Sequence, residues 1–293
     1  MIIDAHNHPD WHKHDFEKFI ANMDKNGIDK TWLLSWETPY GDFDPSSVNV
    51  LPGAVLNGER SVPIPFSRCL EYKRRAPDRF VLGYAPDPHR PDAVLALRSA
   101  VDLYGVKVCG EVKFRLMYDD PDCIDLFRAA GDMHLPVTLH FDYDLPTRTG
   151  AEMPRRNWWF GGRIENLDNL LSLCPDTAIL GHAPGFWAHI SGEPDAKDHV
   201  YRRDPIVPGG RIEELLAKHK NLYCDISAGS GCVALSRDLD YTYRLICRFP
   251  DRFLYARDYF DTQHRELIES LSLPADVKEL VYHGNAERLI GEA

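Results

Sequence analysis

Eight short apolar runs alternate with longer amphipathic stretches along this 293-residue chain. The runs are rich in β-branched and aromatic residues and are bounded by Gly, Pro or Asp, which is typical of buried strands. The stretches between them place apolar residues at helical spacing, and those at 15–27 and 91–105 each end in a glycine. In chain order the runs are MIIDAH, KTWLLS, FVLGYA, VKVCGEVKF, PVTLHF, TAILGH, NLYCDIS and RFLYARD.

Strands that alternate with helices indicate parallel βα units, and eight such units fit a closed (β/α)₈ TIM barrel. We therefore expect an α/β fold in which residues 1–293 form one domain. An open doubly wound sheet is the alternative. That fold would need a glycine-rich turn after the first strand to bind a dinucleotide, and HNHPDW stands there instead.

The composition of the chain indicates which classes of binding partner to expect. The formal net charge of -11 argues against nucleic acids and anionic membranes, which need clustered Lys and Arg. No apolar run approaches the length of a membrane span, and no signal-peptide pattern opens the chain. The seven cysteines form no CxxC pair, which favours free thiols in a reducing compartment and hence the cytoplasm. A small molecule is the expected partner, and assembly into a homo-oligomer stays open.

Histidines and one aspartate end several predicted strands. His6 and His8 are two residues apart, so in a strand they share a face and can chelate one divalent cation. His140, His182 and Asp258 each lie at the carboxyl end of a later run, His140 one residue before the last. Any one of them alone is more often a hydrogen-bonding group at a strand end, but parallel strands bring all five to one mouth. Three imidazoles and a carboxylate suit Zn²⁺, and other borderline divalent ions also fit.

The order of these residues resembles that of the amidohydrolase superfamily. The segments IIDAHNH, DLFRAAGDMHLPVTLH, GHAPG, LYARDY and GNAERLI are similar to its amidohydrolase-related branch of metal-dependent hydrolases, hydratases and non-oxidative decarboxylases. The resemblance implies that His6, His8, His140 and Asp258 are metal ligands. It also implies that His182 is catalytic, polarises the substrate or binds a second metal.

The fourth run carries further candidates. Glu111, Lys113 and Arg115 alternate onto one face of the predicted strand. In some members of the superfamily a Glu or a modified Lys of this strand bridges two metals, so the resemblance makes Glu111 and Lys113 candidates for a second site. The alternative is that these charges pair with each other or with neighbours inside the barrel, because buried charges must be paired.

Three long loops follow predicted strands, at 36–62, 142–162 and 183–208, and therefore lie on the face where barrel enzymes place their active sites. The second loop contains Arg155, Trp158 and Trp159. With Arg115 they are candidates for binding an acidic substrate. The two tryptophans could equally cover the barrel mouth or contact another subunit. His12 and His14 lie beyond Pro9, and we expect them on the surface.

These residues predict a metal-dependent hydrolase of an amide, lactone or ester-like bond in a small, acidic substrate. A metal-activated water would attack, Asp258 would move the proton, and His182 would polarise the carbonyl. The first alternative is a metal-dependent decarboxylase or hydratase of a small carboxylic acid. The second is a barrel that binds a ligand without catalysis.

Overall fold

The computed structural model describes residues 1–37, 64–142, 161–192 and 201–292. Within them, parallel strands alternate with helices in the predicted order, and the fold is the (β/α)₈ barrel. The strands are β1 (Ile3–Asn7), β2 (Lys30–Leu34), β3 (Phe80–Gly83), β4 (Cys109–Val112), β5 (Val137–His140), β6 (Ile179–His182), β7 (Leu222–Asp225) and β8 (Phe253–Leu254).

Two seams complete the ring of strands. Continuous ladders join β1 to β3 and β4 to β8. Between β3 and β4, the N–H of Lys107 donates to the carbonyl of Leu82 at 2.9 Å. Between β8 and β1, the N–H of Ala5 donates to Tyr255 O and the N–H of Asp258 donates to His6 O, both at 2.9 Å. The second seam therefore ties Asp258 directly to the strand that carries His6.

Helices cover the outside of the barrel, and their ends follow local chemistry. The Asp15 carboxylate accepts from the N–H of Lys18 at the start of α1, and Gly105 ends α3 with a φ of 70°, a left-handed conformation that glycine adopts without strain. The helices are α1 (Phe16–Lys25), α2 (Phe66–Arg75), α3 (Ala93–Tyr104), α4 (Pro121–Asp132), α5 (Ile164–Leu173), α6 (Pro184–Trp187), α7 (Arg211–Lys218), α8 (Ala228–Ser236), α9 (Leu239–Arg248), α10 (Gln263–Ser270), α11 (Ala275–Glu279) and α12 (Asn285–Ile290).

One helix differs from the pattern in the sequence. Apolar spacing predicts a continuous helix over residues 234–249, but the structure has two, α8 and α9. The break falls at Asp238, whose carboxylate accepts from the N–H of Tyr241 at 2.9 Å and starts α9 as an N-cap. A capping aspartate satisfies the new helix end, which apolar spacing alone does not reveal. None of the described helices is long and apolar enough to cross a bilayer.

Residues from separate strands meet inside the barrel. Ile3 and Ala5 of β1 pack with Leu34, Leu180 and Leu254, which come from three other strands. Asp4, the residue between them, faces outward, where its carboxylate accepts from the Arg257 guanidinium and Arg257 also reaches Asn22 of α1. β1 thus alternates inward and outward up to Ala5.

Candidate metal centre

A bulge in β1 turns His6 toward the barrel interior. Strict alternation after Ala5 would point His6 outward, yet Asn7 faces outward instead and donates to Asp4 at 3.1 Å. The pairing of β1 with β2 shifts register between Asp4 and Asn7, as an extra residue in a bulge requires. His6 and His8 therefore both face the interior, and their Nε2 atoms are 3.3 Å apart.

A similar irregularity turns Glu111 inward. Cys109 and Val112 are three residues apart in β4 but both pack in the outer core, and the register with β5 shifts between them. Two residues, Gly110 and Glu111, therefore occupy the space between two outward positions, and the Glu111 side chain lies among the imidazoles. Strand irregularities of this kind recur beside active sites because they re-aim a side chain.

Four donor atoms form the first part of the cluster. His8 Nε2 lies 3.4 Å from Glu111 Oε2 and 3.6 Å from Asp258 Oδ1. His6 Nε2 lies 4.0 Å from each of the same two oxygens. Ligands at about 2.0–2.2 Å from a tetrahedral ion are separated by roughly 3.3–3.6 Å, so this spacing is close to that of a coordination shell.

The second part of the cluster uses the other oxygen of Glu111. Glu111 Oε1 lies 2.7 Å from His140 Nδ1 and 3.7 Å from His182 Nε2. His140 and His182 are partners in the register of β5 with β6, which brings their rings to 5.4 Å between centroids. Glu111 therefore stands between two groups of donors, with one carboxylate oxygen toward each.

Hydrogen bonds to oxygen orient the rings. His6 Nδ1 lies 2.6 Å from Asp225 Oδ2, and His8 Nδ1 lies 2.8 Å from the carbonyl of Leu34. The carbonyl can only accept, so the Nδ1–H of His8 donates and its Nε2 lone pair faces the cluster. In the neutral ring of His6, an Nδ1–H donated to the carboxylate likewise leaves the Nε2 lone pair toward the cluster. This arrangement is typical of metal-binding histidines, whose second nitrogen donates to a carboxylate or carbonyl.

Burial and charge set the protonation of the groups. Burial opposes ionisation of Glu111, but the imidazoles of His140, His8 and His6 hold its pKa well below the usual value. Burial opposes protonation of His6, but Asp225 raises its pKa to about 10. Burial lowers the pKa of His182 to about 3 and raises that of Asp258 to about 6. The interior thus holds carboxylates that lack enough positive partners of their own.

A bound cation would supply the positive charge that these carboxylates lack. Asp258 Oδ1 is buried and has no hydrogen-bond partner among the described residues, although it lies beside the imidazoles of His6 and His8. A buried carboxylate oxygen without a donor is costly unless a positive charge compensates it. The donor set of imidazole nitrogens and carboxylate oxygens is one that divalent ions of the Zn²⁺ and Mn²⁺ kind accept.

Two residues that were not predicted from the sequence support the cluster. Asp225 is fully buried, bonds His6 and lies 3.6 Å from His182 Nδ1. Ser227 Oγ lies 2.9 Å from the same nitrogen of His182. The signal for Asp225 was present, because it ends β7 as His140 ends β5 and His182 ends β6.

The other candidates are not donors of the cluster or lie outside the described residues. His12 and His14 do not lie on the open surface as expected. They are half-buried in the turn after β1, where His12 packs on Tyr259 and His14 stacks on Phe260. Lys113 follows β4 and lies over the Trp36 ring, and the half-buried Arg115 comes two residues later. The candidates in the second long loop, Arg155, Trp158 and Trp159, lie outside the described residues.

The GHAPG segment closes tightly over the strand ends. The N–H of Gly185 donates to the carbonyl of Phe141 at 2.8 Å. A Cβ at this position would lie 2.3 Å from the carbonyl oxygen of Asp142, so only glycine fits. The contact holds the start of α6 against the residues that follow His140.

Comparisons with known proteins agree with this architecture. A 2,6-dihydroxybenzoate decarboxylase complexed with 2,6-dihydroxybenzoate has a TM-score of 0.62 at 17% identity, over 99% of this chain and 98% of that one. A dihydroxybenzoic acid decarboxylase from Polaromonas sp., with bound manganese and the inhibitor 2-nitroresorcinol, has a TM-score of 0.64 at 16% identity, over 99% and 96%. A putative amidohydrolase from Staphylococcus aureus has a TM-score of 0.61 at 14% identity, over 99% of both chains.

At these identities the likeness of the structures establishes the fold. No curated protein matches the chain. The model of the family described as amidohydrolase matches residues 3–291, which is nearly the whole chain, and confirms the resemblance in the sequence. The chain belongs to the amidohydrolase family.

Proposed function

We propose that this protein is a divalent-metal-dependent decarboxylase of a small carboxylic acid. The main support is that four side chains converge on one buried point at the barrel mouth: His6, His8, Glu111 and Asp258. Their nitrogen and oxygen atoms are separated by 3.3–4.0 Å. Several solved structures with this fold are decarboxylases of aromatic acids, and two of them contain manganese. The comparisons favour decarboxylation over the hydrolysis expected from the sequence.

The proposed ligands are His6, His8, Asp258 and Glu111 for one ion. Glu111 together with His140 and His182 would serve a second ion, on the other side of Glu111. A bound divalent ion would supply Lewis-acid stabilisation of negative charge on a substrate oxygen. The imidazole and carboxylate donors suit Zn²⁺ or Mn²⁺, and a comparison of the protein loaded with each ion separates them. The seven free thiols fit a reducing cytoplasm, which we propose as the location.

Decarboxylation requires a proton at the carbon that loses CO₂. The C–C bond to the carboxylate breaks, its electron pair stays on the remaining carbon, and that carbon takes up one proton. The Asp258 carboxylate lies 3.6 Å from His8 and 4.0 Å from His6 at the same point, where it can deliver that proton to a substrate bound beside the ion. Asp258 is the proposed donor, and His182, fixed by Ser227, is the residue that would stabilise negative charge on the substrate.

Hydrolysis is the second candidate, and the position of Glu111 favours it. A carboxylate with one oxygen toward each of two donor groups is the arrangement that bridges a pair of ions, and paired ions serve hydrolases by holding both the attacking and the leaving oxygen. In that reaction Asp258 would take the proton of the attacking water and return it to the leaving group.

To distinguish decarboxylation from hydrolysis, the metal-loaded protein is incubated with one panel of small carboxylic acids and with their amides, esters and lactones. Release of CO₂ with formation of the decarboxylated product supports the proposal, and release of an amine or alcohol from the matched derivatives supports hydrolysis. Neither product from any member of the panel contradicts both. Elemental analysis of the wild type and Glu111→Gln tests the bridge, because the variant should lose any second ion. One ion per wild-type chain would exclude the two-ion centre.

A further inference from the structure

Outside the donor cluster, the described part of the barrel mouth presents a lysine against a tryptophan. Lys113 follows β4 by one residue, and its Nζ lies 4.3 Å from the centroid of the Trp36 ring. Trp36 is only 1% exposed, and its Nε1 has no hydrogen-bond partner within the described residues. A cation over an indole face is held electrostatically, so the buried ring fixes where the ammonium group sits.

The charge of Lys113 reaches the second half of the donor cluster. It opposes the protonation of His140 and favours the ionised form of Asp142, which lies 3.4 Å from His140 Nε2. Lys113 lies two residues beyond Glu111 along the chain, and its charge acts on the His140 end of the cluster.

An acidic substrate needs a cation at this place. Four carboxylates surround the site, those of Glu111, Asp142, Asp225 and Asp258, and the whole chain carries a net charge of -11. Metal ions would neutralise the carboxylates that bind them. The carboxylate of an incoming acid would still meet the remaining negative charge, and an ammonium group at hydrogen-bonding distance offsets it.

Two packed indole rings lie between His8 and Lys113. The Trp11 ring packs edge-on to His8 with 5.3 Å between centroids, and it also packs against Trp36 and Ile64. Trp11 Nε1 donates to the carbonyl of Asp258 at 2.7 Å. The turn that carries it has a left-handed residue at Asp10, whose carboxylate accepts two hydrogen bonds from Arg68, at 2.6 and 2.8 Å. A wall of indole rings thus runs from His8 to Lys113.

We infer that Lys113, held on Trp36, binds the carboxylate of a planar aromatic acid whose ring lies along Trp11. This inference rests on the proposed function for the acidic nature of the substrate, and it assigns the residue that recognises the acid. Lys113 is here a binding residue, Trp36 positions it, and neither is required to hold the metal.

The test is calorimetric binding to the metal-loaded protein, with 2,6-dihydroxybenzoate and 2,6-dihydroxybenzamide as probes. The two share a ring and differ in the negative charge. The wild-type protein should bind the acid more tightly than the amide. Lys113→Gln should weaken binding of the acid by ~10- to 100-fold, which is the range for a hydrogen bond to a charged group, and should leave binding of the amide unchanged. Lys113→Arg should restore most of the preference. Lys107→Gln removes the same charge from the exposed far end of the strand and serves as the matched control.

The outcomes separate this inference from the proposed reaction. Equal preference for the acid in wild type and Lys113→Gln, at equal metal content, overturns the role of Lys113. Loss of the preference in Arg115→Gln instead assigns the role to the other candidate of this segment. Failure of wild type to bind the acid overturns the aromatic substrate class. Binding that depends on Lys113 without CO₂ release leaves the inference standing and removes only decarboxylation.

Discussion

At the scale of single residues, each imidazole of the cluster has an oxygen partner that fixes its orientation. Asp225 holds His6, the Leu34 carbonyl holds His8, and Ser227 holds His182. His140 lies between two carboxylates, Glu111 and Asp142. These partners contribute little to the apolar core, so their effect should be visible in metal affinity more than in folding.

Asp225→Asn should weaken metal binding. The amide cannot accept from His6 with the strength of a carboxylate, and loss of such an outer partner typically costs ~10- to 100-fold in metal affinity. Competition with a chromogenic chelator measures the change. Asp240→Asn removes the same charge from the exposed surface of α9 and should leave the affinity at the wild-type value. Unchanged affinity in Asp225→Asn would show that His6 needs no carboxylate.

Asp258→Asn should nearly abolish turnover while most of the metal is retained. The amide preserves shape and one ligand oxygen but cannot carry the transferred proton, and a positioned acid or base contributes at least ~100-fold to rate. Product formation and elemental analysis on the same sample give both quantities. Turnover at the wild-type rate would contradict the role of Asp258 in either reaction.

At the scale of elements, the junction of β8 with β1 rests on a buried ion pair. Arg257 Nε donates to Asp4 Oδ2 at 2.8 Å, and the Arg257 N–H donates to Asp4 Oδ1 at the same distance. Asp258, the neighbour of Arg257, has a φ of 54°, which is strained for a residue with a Cβ. The ion pair joins the two elements that deliver His6 and Asp258.

Arg257→Met should lower the free energy of unfolding by ~3–5 kcal/mol, because it leaves the Asp4 carboxylate buried and unpaired. Urea denaturation measures the loss. The double variant Asp4→Asn with Arg257→Met removes both charges and should recover part of it, since no buried charge remains. A double variant as unstable as the sum of the two single variants would contradict this coupling.

At the scale of the whole molecule, stability should depend on buried neutral histidines. Burial lowers the pKa of His189 to about 4 and also lowers that of His264. The native imidazole of His189 therefore stays neutral while the unfolded chain binds a proton below about pH 6.5. The unfolded state binds more protons in this window, so stability rises with pH and falls as the solution is acidified.

The free energy of unfolding should decline as pH falls from about 6.5 to 4, with His189 contributing at most ~1.4 kcal/mol per pH unit. His189→Gln removes the titrating group, so its decline should be shallower than that of wild type. Urea denaturation at a series of pH values measures both slopes. His89→Gln, at an exposed histidine, controls for loss of an imidazole. Identical slopes in wild type and His189→Gln would refute the contribution.

Much of the architecture could be predicted because it depends on local periodicity. The apolar runs locate β1 to β8, and Gly105 ends α3 where the pattern predicts. The break between α8 and α9 could not be read from apolar spacing, because a capping aspartate outweighs periodicity there. Asp225 was overlooked even though it holds the same strand-end position as His140 and His182.

The order of strands and helices follows from the amino-acid sequence alone, because strand and helix periods are properties of neighbouring residues. The same periods place the candidate donors near strand ends, namely His6, His8, His140, His182 and Asp258. How these donors group depends on tertiary structure. The bulge in β1 turns His6 inward after Ala5, and the irregularity in β4 does the same for Glu111. A register shift depends on the neighbouring strand. No pattern within one strand can therefore reveal that Glu111 stands between two sets of imidazoles.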